Sequence, residues 1–166
     1  NSGTGVITVN TASALDYETT PSYSLTVRVT DGTTNSDETI TVTVTNVAPA
    51  LTDDDTGTVS EVAANSATVV DLDNTGDDDI AMQWSITAGN TDGDSDGELP
   101  FAINSGTGVI TVNDADDLDF ETTTSYTLTV QATDGTTADT EDITITITDV
   151  APTVTDTSAN LAETAA

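Results

Sequence analysis

The chemistry available to this chain lies in its carboxylates. Leu15-Asp16-Tyr17-Glu18 and Leu118-Asp119-Phe120-Glu121 each set an Asp and a Glu two residues apart. In an extended segment such residues project to one side, so both can reach a single ion. Asp71-Leu72-Asp73 has the same spacing. Sites made only of oxygen suit calcium, which takes roughly 6–8 ligands from carboxylates, amides, carbonyls and water. Asp92-Gly93-Asp94-Ser95-Asp96-Gly97 matches the first half of an EF-hand loop. The twelfth loop position is Ile103 rather than Glu, which excludes an EF-hand. A looser site on Asp92, Asp94 and Asp96, with Glu98 nearby, and a plain acidic loop remain the two alternatives. The runs Asp53–Asp55 and Asp77–Asp79 read as solvated charge.

Composition removes most other chemistry. The 166 residues include 30 Asp and Glu, one cationic side chain (Arg28), and neither His nor Cys, for a formal charge of −29. No basic surface exists to displace counterions from nucleic acid, and anionic lipid is repelled. Disulfides, thiolate or imidazole metal sites and Cys/His nucleophile–base pairs are all excluded. No apolar run reaches the roughly 20 residues of a membrane span. The opening Asn-Ser-Gly-Thr-Gly has neither the charged nor the apolar region of a signal peptide. Catalysis would have to use Asp/Glu pairs, and with so many acids some pair meets any spacing. Recurrence of the motif in each repeat points to architecture, not to an enzyme.

The elements that must position these acids repeat. NSGTGVITVN at 1–10 returns at 104–113, TDGTT at 30–34 returns at 133–137, and VAP at 47–49 returns at 150–152. The offset is 103 throughout, and residues 1–49 match residues 104–152 at 34 of 49 positions. A period near one hundred residues suits one sandwich per repeat. The register divides the chain into the C-terminal half of one repeat (1–49), a complete repeat (50–152) and the start of a third (153–166).

Within the complete repeat, alternation marks the strands. Ile80, Met82, Trp84 and Ile86 share one face, as do Tyr126, Leu128, Val130 and Ala132, and Ile143, Ile145 and Ile147. Val109, Ile110 and Val112 follow a turn-like Asn-Ser-Gly-Thr-Gly, and shorter runs lie at 56–62, 66–72 and 99–103. The 38 Thr residues sit among Val, Ile and Leu, a strand composition. The expectation is an all-β fold: seven-stranded Greek-key sandwiches in tandem, with Trp84 in the core.

This order of motifs resembles a cadherin repeat, of the bacterial cadherin-like kind found in giant surface proteins. Glu61 resembles the family's N-terminal glutamate and Asp71-Leu72-Asp73 its DxD. Leu118-Asp119-Phe120-Glu121 resembles its LDRE. Asp134, and Asp31 one repeat earlier, resemble the aspartate of its AxD segment. The family's closing DxNDNxP is replaced by Thr45-Asn46-Val47-Ala48-Pro49 and Thr148-Asp149-Val150-Ala151-Pro152. The resemblance therefore implies one or two calcium ions at each junction rather than three. It assigns Asp16, Glu18, Asn46, Asp71, Asp73 and Asp134 to the first junction. It assigns Glu61, Asp119, Glu121 and Asp149 to the second, completed by residues beyond 166.

The function implied is a calcium-rigidified repeat of an extracellular adhesion stalk at the cell surface. Its partners would be neighbouring repeats, like chains, or a cell-surface glycan or protein, with no nucleic acid and no membrane insertion. A polysaccharide-binding module is the second reading, weakened by the scarcity of aromatics outside the expected core. A filament joined by strand exchange between half-repeats is the third.

Overall fold

The computed structural model describes residues 3–52, 56–76 and 82–154. The expected strand position at Ile80, the runs 53–55 and 77–79, and the third repeat from residue 155 lie outside the described residues. Among the described residues the only helical piece is a 3-10 turn, Ala12–Ala14. The strands are β1 (Ser22–Thr30), β2 (Asn35–Thr43), β3 (Thr56–Ser60), β4 (Thr68–Asp71), β5 (Gln83–Ala88), β6 (Phe101–Ile103), β7 (Val109–Val112), β8 (Ser125–Thr133) and β9 (Ala138–Thr148). The last seven form two sheets, ordered β3-β9-β8-β5 and β4-β7-β6. Every pair is antiparallel except β3 with β9, which run parallel.

The alternation read from the sequence builds the core. Tyr126, Leu128, Val130 and Ala132 on β8 and Ile143, Ile145 and Ile147 on β9 are all buried, facing Phe101, Ile110 and Val112 of the other sheet. The intervening Thr side chains of β9 face water. Their branched Cβ atoms stiffen an extended backbone, which suits them to a half-buried strand. Trp84 is buried as expected, and Met82 with it, but Ile86 is only half-buried. It sits where a register shift between Ile86 and Ala88 interrupts the pairing of β5 with β8 before Ala88 meets Thr129. Val109 is likewise half-buried, leaving Ile110 and Val112 as the inward residues of β7. Gly108 packs under Trp84 with φ +74°, where an added Cβ would lie 3.0 Å from the indole ring. That explains a glycine at the end of the turn before β7.

The β1–β2 hairpin is the β8–β9 hairpin displaced by 103 residues: Ser22 faces Thr43 as Ser125 faces Thr146. Its surroundings differ. Ile40 and Val42 are 36% and 38% exposed, whereas their equivalents Ile143 and Ile145 are at 1% and 0%. Ile7, Val9, Tyr23, Leu25 and Val42 line an open apolar groove on that hairpin's uncovered face.

Candidate metal centre

Both LDxE motifs are turns, which corrects the extended geometry expected from their spacing. Thr122 and Thr123 donate their amides to the Asp119 carbonyl at 3.2 and 2.8 Å. The Asp119 carboxylate accepts the Glu121 amide at 3.1 Å and the Thr122 hydroxyl at 2.5 Å. Asp16 does the same, accepting the Thr19 amide at 3.0 Å and the Thr19 hydroxyl at 2.5 Å. An Asp followed three residues later by Thr offers its own backbone a local hydrogen-bonding alternative to a strand, and here the local bonds win. The Thr122 hydroxyl, then the Glu121 amide, hold the Asp119 carboxyl below its usual range despite burial. The Thr19 hydroxyl and amide do so for Asp16.

Glu61, just beyond β3, ties this turn to the segment leaving β9. Its two carboxylate oxygens accept the Val150 amide at 2.6 Å and the Phe120 amide at 3.2 Å. One carboxylate oxygen from each of Glu61, Glu121 and Asp149 lies within 4.8 Å of the others. Three of the four residues assigned to the second junction thus face one point, with Asp119 at the start of the same turn. Glu121 shows the strain of this grouping. A local backbone hydrogen bond favours its charged form, but the Glu61 charge, burial, Asp119 and the Asp149 charge together push its carboxyl up.

Of the residues assigned to the first junction, Asp16, Glu18 and Asn46 line one cleft with Leu15, Tyr17 and Val44. Glu18 and Asn46 are the equivalents of Glu121 and Asp149 at the offset of 103. Glu18 Oε1 and Asn46 Oδ1 are buried atoms without a hydrogen-bond partner, and buried acceptors are rarely left so without cause. The Asn46 amide nitrogen donates to the Thr137 hydroxyl at 3.4 Å, which brings Asn46 beside Asp134. Asp71 and Asp73 are both exposed, flanking buried Leu72. They enter none of the acidic groups found among the described residues.

Asp134 is 6% exposed and closes the β8–β9 turn, accepting the Thr136 and Thr137 amides at 2.6 and 2.5 Å and the Thr137 hydroxyl at 2.7 Å. Burial alone would push its carboxyl up. The Thr137 amide and hydroxyl, the Thr136 amide and the Asn46 side chain outweigh burial and hold it at about 2, against an ordinary 3.8. A folded-state value below the unfolded one stabilises the fold above the unfolded value and loses that contribution as pH falls through the folded one. The melting temperature is therefore expected to fall between about pH 4 and pH 2, and Asp134→Asn to flatten the curve in that window. Melting curves of both proteins from pH 6 to pH 2 check this. Parallel curves would remove Asp134 as a source of acid sensitivity.

Two further residues fix the linker, and the motif spacing did not single them out. Asn74 Oδ1 accepts the Ala50 amide at 2.9 Å, and Asp139 Oδ2 accepts the Leu51 amide at 2.9 Å. Gly76 completes the clamp, since an added Cβ would overlap the Ala48 carbonyl oxygen and the Ala50 nitrogen. Asn74 carried a readable signal as an Asx-turn residue two before a glycine; Asp139 carried none.

The loop at 92–97 does gather Asp92, Asp94 and Asp96 within 4.8 Å. Much of that carboxylate capacity folds the loop itself. Asp92 accepts the Ser95 and Gly97 amides at 2.5 and 2.9 Å, Asp94 the Asp96 amide at 3.0 Å, and Asp96 the Glu98 amide at 2.8 Å. Sequence reading also passed over Asp114 and Asp117, both buried in the segment before the second LDxE.

The donor set fits a hard cation. The sole cationic side chain, Arg28, is bound to Asp37 on the β1–β2 hairpin at 2.7 and 2.8 Å. No side chain is left to neutralise the Glu61–Glu121–Asp149 group, and all of its ligand atoms are oxygen, which suits calcium.

Comparison with known proteins bears on the family of the chain. The Cadherin domain family matches residues 55–148. The human protein Protocadherin Fat 4 is 38% identical over 139 residues, covering 80% of this chain and 3% of that protein. The Drosophila melanogaster protein Protocadherin-like wing polarity protein stan is 36% identical over 154 residues, covering 86% of this chain and 4% of that protein. The chain thus spans a few hundredths of the length of these relatives. Among solved structures, mouse clustered PcdhgC3 EC1-3 superposes with a TM-score of 0.54 at 25% identity, covering 81% of this chain and 46% of that one. Cadherin domains are adhesion modules of extracellular and cell-surface proteins and not enzymes. On the family match and the sandwich together, the chain belongs to the cadherin domain family.

Proposed function

We propose that the chain is a calcium-stiffened repeat array from the stalk of an extracellular adhesion protein, divided at residues 49/50 and 152/153. One observation carries the reading. The same pairing of an LDxE acid with a post-strand Asn or Asp occurs twice at an offset of 103: Glu18 with Asn46 in one cleft, and Glu121 with Asp149, which Glu61 joins. Calcium at the first junction would be held by Asp16, Glu18 and Asn46, with Asp134 close by and Asp71 and Asp73 on the adjoining repeat. At the second junction it would be held by Glu61, Asp119, Glu121 and Asp149. The ion supplies the positive charge these oxygens lack; the side chains fix the angle at which one repeat follows the next.

The relatives compared are animal proteins, so the likeness to the bacterial kind rests on the motifs alone. Like chains and adjoining repeats are the partners this surface favours. A glycan platform has little to work with: Trp84, Phe101 and Tyr126 are buried, and Tyr17, Tyr23 and Phe120 are half-buried. The filament reading draws on the apolar groove of the β1–β2 hairpin, which a like chain could cover.

The test is small-angle X-ray scattering of the 166-residue chain across a calcium titration. Calcium is expected to narrow the distribution of end-to-end lengths, and Glu18→Gln with Asn46→Ala to abolish the response. A distribution indifferent to calcium would sink the reading.

A further inference from the structure

The loop between β5 and β6 and the segment between β7 and β8 meet around a second set of acids that no junction motif includes. Asp114 and Asp117 are 6% and 4% exposed. One carboxylate oxygen from each, together with one from Asp94, lies within 4.8 Å of the others. The geometry points to a calcium site within the complete repeat, held by Asp94, Asp114 and Asp117.

The inner oxygens of the two buried acids have structural work. Asp117 Oδ1 accepts the Gly93 amide at 2.6 Å and the Asp94 amide at 3.1 Å, drawing the 92–98 loop across the fold. Gly93 permits that approach, since a Cβ there would lie 3.0 Å from the same oxygen. Asp114 Oδ1 accepts the Asp116 amide at 3.1 Å. The segment is pinned from behind: the Asn113 and Asp114 amides donate to the Pro100 carbonyl at 2.8 and 3.3 Å, and the Tyr126 hydroxyl donates to the Asp117 carbonyl at 2.8 Å. The outer oxygens have none. Asp114 Oδ2 and Asp117 Oδ2 are buried without a hydrogen-bond partner. An acceptor left so pays its full desolvation cost, and a charged one more.

Nothing in the chain can offset that cost. His and Lys are absent, and Arg28 is engaged by Asp37 on the β1–β2 hairpin. The counter-charge must come from solution. Oxygens bound to one calcium at roughly 2.4 Å lie no more than about 4.8 Å apart, which the three acids satisfy. A smaller ion such as magnesium demands a tighter and more regular shell. Asp94 reports the crowding: the Asp96 amide favours its charged form, but burial and the charges of Asp96, Asp117 and Asp114 together raise its carboxyl. The cleft beside the site includes Asp119 and Thr122 of the LDxE turn, so an ion here would lock the loop against the turn that serves the junction.

The experiment is an NMR calcium titration of the 15N-labelled 166-residue chain after chelation, with magnesium as control. Saturable calcium shifts are expected at the Gly93, Asp94 and Asp116 amides. They should persist in the junction variant Glu61→Gln/Asp149→Asn and vanish in Asp117→Asn. Asp94→Asn leaves the buried acids in place, keeping the fold, and is expected to weaken the affinity read at Gly93 by at least about tenfold. Unmoved amides in the folded wild-type chain, or unchanged affinity in Asp94→Asn, would overturn the site. Shifts at Glu121 and Val150 with none at Gly93 would overturn it while sparing the junction reading; the reverse pattern would do the opposite.

Discussion

Chelation is expected to lower the melting temperature of the chain by about 10–20 °C at low ionic strength. A formal charge of −29 with one cationic side chain makes self-repulsion a large destabilising force on the compact state. An ion that binds only the folded arrangement adds about 2.7 kcal/mol when present at roughly a hundred times its dissociation constant. Two occupied sites then supply about 5 kcal/mol, and a chain of this length changes its melting temperature by about 2–4 °C for each kcal/mol. Circular dichroism in chelator, in millimolar calcium and in millimolar magnesium measures the shift. Sodium chloride screens the exposed acids but leaves buried ones such as Asp114 and Asp117 largely unscreened. Salt should therefore restore only part of what chelation removes. A change of no more than a degree or two between chelator and calcium would refute metal-linked folding.

Ile143→Ala is expected to cost about 2–5 kcal/mol, and Ile40→Ala less than about 1 kcal/mol. The two residues occupy the same place in the same hairpin, 103 residues apart. What separates them is the second sheet. Ile143 is 1% exposed against β6 and β7, so its truncation loses transfer energy and leaves a cavity. Ile40 is 36% exposed, and water replaces most of what is removed. Urea midpoints at constant slope measure both. Equal losses would mean that the β1–β2 hairpin is covered in solution, as the filament reading requires.

These residues show where sequence reading succeeds. Thr alternating with Ile or Val states which face of β9 turns inward, because a strand repeats every two residues whatever it packs against. The repeat offset then transfers that reading from one hairpin to the other. Spacing told less about the site. Asp119 and Glu121 are two apart, but the Thr122 hydroxyl and the Glu121 amide draw the Asp119 carboxylate into a turn, a competition decided by local bonds that the spacing does not encode. Asp114 and Asp117 were illegible for a different reason. In Asn-Asp-Ala-Asp-Asp they look like any solvated acidic run, and their burial depends on a loop that arrives from more than twenty residues away. Asp139 holding Leu51 across 88 positions is the same kind of contact. Local pattern reports faces and turns; it does not report which distant backbone amide a carboxylate will meet.

The parallel pairing of β3 with β9 has a mechanical meaning. These are the first and last strands of the complete repeat, and they run side by side from Thr56 opposite Thr144 to Ser60 opposite Thr148. The chain therefore enters at one end of the sandwich and leaves at the other. Tension applied to the two ends slides β3 and β9 along each other in opposite directions, which loads the hydrogen bonds between them in shear, as a group, instead of peeling them apart singly. Resistance to pulling is set by the unfolding rate rather than by equilibrium stability. A repeat joined in this way can transmit force along a surface protein even where its thermodynamic margin is small.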